Sequence, residues 1–166
     1  MVEKKVEKNK KPTNSQEKWD KRFLNLAREV STWSTCVRNQ RQVGSVIVRD
    51  KRIIATGFNG APSGVTSCQE RGYCLRDKLG IASGTRQEVC YSTHAEQNAL
   101  VQAAKMGIEV DGATMYITHR PCVICTKLLI NAGIKRVVYA EHYPDEFSVE
   151  ILKEADIELV HMPYDD

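Results

Sequence analysis

The chain has 166 residues, 42% of them hydrophobic and 27% charged, with a formal net charge of +3. That length suffices for one domain with a real core, and no apolar run nears the ~20 residues a membrane-spanning helix needs. The charge is too mild to argue for a nucleic-acid partner and suits a small anionic substrate.

Residues 1–14 hold Lys4, Lys5, Lys8, Lys10 and Lys11 against Glu3 and Glu7. This reads as a disordered basic tail ahead of a single domain over 15–166. It lacks the apolar segment of a secretory signal, so the expected location is cytoplasmic. Six cysteines in a reducing compartment point to metal or free thiols and away from disulfides.

Asn14 and Glu17 offer a capping box. Trp19, Phe23, Leu26, Ala27, Val30 and Trp33 then recur at helical spacing, which predicts a first helix with one buried face. A polar stretch over 34–41 carries Cys36, Arg38 and Arg41. Residues 43–48 and 53–58 are β-rich and separated by Arg49, Asp50, Lys51 and Arg52, a link short enough to demand an antiparallel hairpin. Residues 59–64 are turn-rich. An aperiodic insertion at about 60–92 brings Cys68, Cys74 and Cys90 together with Arg71, Arg76 and Arg86; loops this long are usually functional or internally braced.

A helix is predicted over 93–106 with Gly107 as its left-handed cap. A strand over 114–118 follows, then a helix over 122–132 between Pro121 and Gly133. Strand 137–140, helix 147–155 and strand 157–161 complete the chain. Their alternation implies crossovers and parallel pairing. The fold class is α/β: a three-layer α/β/α domain with a mixed five-stranded sheet.

Two short motifs carry chemistry. His94 and Glu96 form H-x-E, and Pro121, Cys122 and Cys125 form P-C-x-x-C. Each stands where a helix is predicted to begin, and Cys122 and Cys125 share a helical face. Helix N-termini favour thiolates and anions. One imidazole and two thiolates fill three positions of a tetrahedral Zn²⁺ and leave the fourth for water. Glu96 is free of ligation and near enough to act as the general acid and base. Separately, the C-x-x-C pair could be a redox couple or a structural half-site, and H-x-E alone is weak. Together they match the signature of zinc nucleobase deaminases.

The chain resembles the deoxycytidylate (dCMP) deaminase family, late-competence-type bacterial members included. The resemblance rests on residues 42–48, 57–62, 94–99, 112–118, 121–125 and 131–139, and covers about 18–161. It implies a cytidine-deaminase-like fold and hydrolysis of dCMP to dUMP and ammonia. It implies substrate contacts from Asn59 and the Ala95 backbone, with Arg41 a candidate for the 5′-phosphate. Tyr143 and Tyr139 resemble a phosphate or sugar wall, although Tyr139 also suits a core position. The resemblance implies regulation by dCTP and dTTP with Mg²⁺, through the region of Arg38 and Gly60. It also implies a homo-oligomer, commonly a hexamer.

Cys36, Cys68, Cys74 and Cys90 remain. Some relatives carry a second, structural zinc in the equivalent insertion, and four thiolates could close such a site; buried thiols serving as small apolar residues are the other reading. Rival functions are a zinc deaminase of cytidine, guanine or a tRNA adenosine, and a zinc-stabilised binding module without catalysis.

Overall fold

The computed structural model describes residues 14–38 and 41–165, the side chain of Asn14 excepted. The expected tail and the Asn14 capping box therefore lie outside the described residues.

Eleven elements follow in order: α1 (Asn14–Ser31), β1 (Gly44–Arg49), β2 (Arg52–Phe58), α2 (Cys68–Arg71), α3 (Leu75–Lys78), α4 (Ala95–Lys105), β3 (Thr114–His119), α5 (Val123–Asn131), β4 (Arg136–Glu141), α6 (Glu146–Glu154) and β5 (Glu158–His161). The five strands form one sheet in the order β2-β1-β3-β4-β5. β1 pairs antiparallel with both β2 and β3, whereas β3, β4 and β5 run parallel. The sheet is thus mixed, as the alternation implies. The β1–β2 hairpin turns on Asp50 and Lys51, both at positive φ (51° and 61°), the geometry that suits the twist of paired strands.

Strand alternation divides the core between the two faces of the sheet. Val46, Val48, Tyr116, Val138 and Ala140 pack against Phe23, Leu24, Ala27 and Val30 of α1. Ile47, Met115, Ile117, Val137 and Tyr139 face the opposite layer, where Ala99, Leu129 and Leu152 come from α4, α5 and α6. Two glycines let helices approach the sheet closely. A Cβ at Gly44 would collide with the backbone of Ala27 and Ser31, and one at Gly57 with the backbone of Ala95 and Ala99.

Three details depart from the periodic reading. Trp33 is not on the buried face of the first helix: α1 ends at Ser31, and Trp33 is 54% exposed. The hydroxyls of Ser31 and Thr32 bond back to the carbonyls of Arg28 and Glu29, a local competition that closes the helix. The buried face of α1 also includes Asp20, fully buried in a bidentate pair with Arg136. The aperiodic insertion contains two one-turn helices. The first, α2, carries a complete capping box between Ser67 and Glu70.

Candidate active site

α4 starts beside the end of β2 and α5 just after β3, and the two helix starts come together at His94 and Cys122. His94 and Cys122 are the N-cap residues of these helices, each with extended backbone (ψ 155° and 166°). They do not sit inside first turns, as the motif spacing suggested; the helices begin one residue later. An extended cap residue projects its side chain off the helix end, which here directs both groups toward a common point. Gln97 reaches back to accept from the His94 N–H at 3.0 Å. Asp145 accepts from the Val123 N–H at 2.8 Å and also caps α6 through Ser148.

His94 Nδ1 lies 3.5 Å from Cys122 Sγ and 3.3 Å from Cys125 Sγ. The three ligand atoms all fall within 4.8 Å of one another, and among the described residues no other group of three or more His, Cys, Asp or Glu does so. Zinc bonds of ordinary length at a tetrahedral angle would put nitrogen and sulfur about 3.6 Å apart. The donor set therefore fits zinc in both chemistry and spacing.

The three groups and Glu96 perturb one another. Hydrogen bonding to Cys125 pulls the Cys122 thiol down to about 4, and His94 adds to this. The same bond, with burial, pushes Cys125 up, so the pair holds one proton readily and a second reluctantly. The Cys122 contact raises His94. Glu96, in the first turn of α4 and 4% exposed, is pushed up to about 7 by burial.

These groups floor a cavity that opens to solvent. Ala95, Asn59, Arg41 and Tyr143, the substrate contacts that the resemblance implies, line it, and so does Arg38. Gly60 does not line it; it forms a two-way backbone bridge with Thr93 that ties the end of β2 to the start of α4. Tyr139 is not a cavity wall: it is 5% exposed and stacked on His161 in the core.

The Asn59 amide is largely committed to the protein. Its Oδ1 accepts from Val43 N at 2.8 Å and lies 2.7 Å from Ser34 Oγ, and its Nδ2 donates to the Arg41 carbonyl at 2.7 Å. It moulds the 34–43 loop that presents Arg41. The guanidinium of Arg38 is committed too, to Asp77 at 2.7 Å and the Ile81 carbonyl.

Cys36, Cys74 and Cys90 also line the cavity. Burial raises the thiols of Cys36 and Cys68, and the neighbouring thiols raise both further. The four cysteines thus converge on one region, but no three of their sulfurs meet the spacing that His94, Cys122 and Cys125 achieve.

Sequence reasoning assigned no role to Arg76, Gln87, His119 or Arg120, all of which line the cavity. Burial holds the His119 imidazole below its usual value. Arg120 stood in view, one residue before the Pro-Cys motif. The sequence carries no signal that separates it from a surface arginine.

The family model of the cytidine and deoxycytidylate deaminase zinc-binding region matches residues 17–141. ComE operon protein 2 of Bacillus subtilis is 37% identical over 150 residues, covering 89% of this chain and 73% of that protein. The deoxycytidylate deaminase of Schizosaccharomyces pombe is 36% identical over 149 residues; the match covers 89% of this chain but only 45% of the yeast protein. The dCMP deaminase of cyanophage S-TIM5, solved in complex with dCMP and dUMP, superposes with a TM-score of 0.72 at 30% identity, covering 92% of this chain and all of that one. With His94, Cys122 and Cys125 converging at two helix ends and the match running through both, the chain belongs to the cytidine and deoxycytidylate deaminase family.

Proposed function

We propose that this protein is a zinc-dependent dCMP deaminase, converting dCMP and water to dUMP and ammonia. One observation carries the reading: a buried carboxylic acid, Glu96, stands beside a His94, Cys122 and Cys125 cluster at the floor of an arginine-lined cavity. A purely structural zinc site has no use for that carboxyl, which disfavours a non-catalytic binding module.

His94, Cys122 and Cys125 hold the metal. When bound there, zinc supplies Lewis acidity, which lets a water molecule lose its proton near neutral pH. Glu96 receives that proton and passes it to N3 of the cytosine ring as the water oxygen bonds to C4. The C4–amine bond then breaks, and the remaining hydroxyl proton leaves with the amine as ammonia, again by way of Glu96. C4 is left as a carbonyl and N3 keeps its proton, which is the uracil product. Burial prepares Glu96 for this exchange by bringing its carboxyl close to neutrality. The Ala95 N–H, first in α4 and without an intrahelical acceptor, is available to the base. Arg41 makes no side-chain hydrogen bond or ion pair with the described residues and lines the cavity, which suits it to the 5′-phosphate. Tyr143 and the free Asn59 N–H flank the same substrate.

The finer expectations belong to this reading. Arg38 and Gly60 belong to a response to dCTP, dTTP and Mg²⁺; the chain acts as a homo-oligomer, a hexamer, in the cytoplasm; and Cys36, Cys68, Cys74 and Cys90 hold a second, structural zinc. The convergence of those four thiols supports the last of these, and metal analysis tests it. Two zinc ions per chain are expected, and one per chain, unaltered in a Cys68→Ser/Cys90→Ser double variant, would reject it. Among the described residues no helix is long and apolar enough to cross a membrane.

Ammonia release from dCMP, cytidine and dCTP, with and without dCTP and dTTP as effectors, tests the function. Turnover of dCMP well above cytidine is expected. Equal turnover of cytidine would refute the monophosphate reading, and full activity in Glu96→Ala would refute the mechanism.

A further inference from the structure

The cavity holds two more guanidinium groups whose hydrogen bonding the protein leaves incomplete. Arg120, between β3 and α5, is only 8% exposed. Its Nη2 donates to the Tyr143 carbonyl and to Glu146 at 2.8 Å, while Nε is buried with no acceptor among the described residues. Nothing in the described structure accepts from Nη1 either. Arg76, from α3 in the insertion, donates through Nη2 to the carbonyls of Ala82 and Thr85, and its Nε is also buried without an acceptor.

Stranding donors of a buried cation is costly. The one charged partner of Arg120, Glu146, has an 85% exposed side chain, so water screens that pair and it offsets little of the cost. Asp145 is occupied by two helix N-termini, Asp77 by Arg38, and Glu88, which also feels the charge of Arg76, by Arg86. Two arginines with spare donors in one cavity are the arrangement expected when a ligand supplies the acceptors. A phosphate does so well, since its oxygens match the fork of a guanidinium and its charge balances the cluster. Gln87 links insertion and wall by donating to the Tyr143 hydroxyl at 2.9 Å.

We propose that Arg120 and Arg76 complete an anion subsite with Arg41, that this subsite receives the 5′-phosphate of the substrate, and that Arg120 determines the preference for nucleotide over nucleoside. The proposal rests on the dCMP reading above. It gives the insertion a direct part in specificity.

The test compares wild type with Arg120→Gln, Arg120→Lys and Arg76→Gln on dCMP and deoxycytidine. Steady-state kinetics are paired with binding of both compounds by calorimetry in a Glu96→Ala background, which needs no turnover. For Arg120→Gln the dCMP-to-deoxycytidine ratio of kcat/KM is expected to fall about 30-fold or more. The corresponding ratio of affinities should fall in parallel, with Arg120→Lys intermediate. A parallel loss on both compounds, or an unaltered ratio, overturns the proposal and assigns Arg120 to structure alone. If thermal melting shows Arg120→Gln to be unfolded, the same criterion applies to Arg76→Gln, where an unaltered ratio overturns the proposal. Failure of the dCMP reading looks different: wild type itself would then turn over deoxycytidine as well as dCMP, or neither.

Discussion

Glu96 owes its position to the start of α4. As the second residue of α4 it is held at the helix end beside His94, and its burial keeps the carboxyl near neutrality. It is not one of the three clustered ligands, so Glu96→Gln should bind zinc with the wild-type stoichiometry while losing about 10²–10⁴-fold in kcat. Metal analysis beside an ammonia-release assay checks both halves; zinc loss in this variant would make Glu96 a ligand. Cys122→Ser is expected to do the reverse, losing zinc first and activity as a consequence. Chelation of the wild type should abolish turnover, and added Zn²⁺ should restore it. At this scale the reactive groups were legible, because H-x-E and P-C-x-x-C are local patterns. Arg76 and Arg120 were not, because their distinction lies in which donors go unpaired after folding. The sequence also could not tell that the Asn59 amide is mostly occupied by the loop it shapes.

The same dependence on neighbours governs the helices. α5 presents Cys122 from its cap, and Asp145, more than twenty residues later, satisfies one of its orphan N–H groups while capping α6. One side chain thus secures two helix ends, and one of them carries Cys122 and Cys125. Asp145→Ala should cost about 1–2 kcal/mol of stability and weaken zinc retention against a competing chelator. Denaturant midpoints and chelator titration measure the two, and undiminished zinc retention would confine Asp145 to α6. Most helices and strands were readable from their periods and glycine stops; Gly107 and Gly133 do stand at positive φ just beyond α4 and α5. The end of α1 was misread, since apolar spacing continued through Trp33 while Ser31 and Thr32 closed the helix. The short helices of the insertion were missed, since one turn is too brief to establish a period.

Across the whole molecule, one buried polar network joins the layers. Asp20 of α1 accepts from Tyr116 of β3 at 2.7 Å and pairs bidentately with Arg136 of β4. Asp20→Ala would leave that guanidinium with Glu158, a half-exposed carboxylate, as its charged partner and should cost about 3–5 kcal/mol, seen as a large fall in urea midpoint. Alkaline pH probes the same assembly. Burial and the Asp20 contact raise the Tyr116 phenol, and burial pushes Tyr164 up to about 12. Both groups titrate higher in the folded chain, so their neutral forms favour folding. That contribution is complete below the ordinary tyrosine value of about 10 and is lost as pH rises through the folded values. Urea midpoints should therefore fall between about pH 9 and 12, and less steeply in Tyr164→Phe; equal slopes would remove Tyr164 from the account.

By itself the sequence determined the reaction class and the layered architecture. The H-x-E and P-C-x-x-C motifs, helix periods and strand alternation are all written in short stretches, where spacing along the chain stands in for spacing in three dimensions. Tertiary structure decided what surrounds that chemistry. Only folding sets Arg41, Arg76 and Arg120 around one cavity, takes Tyr139 into the core, buries Asp20 against Arg136 and brings Asp145 to the metal-bearing helix. Such contacts join residues far apart in the chain, and burial alone distinguishes a stranded, ligand-seeking arginine from a solvated one.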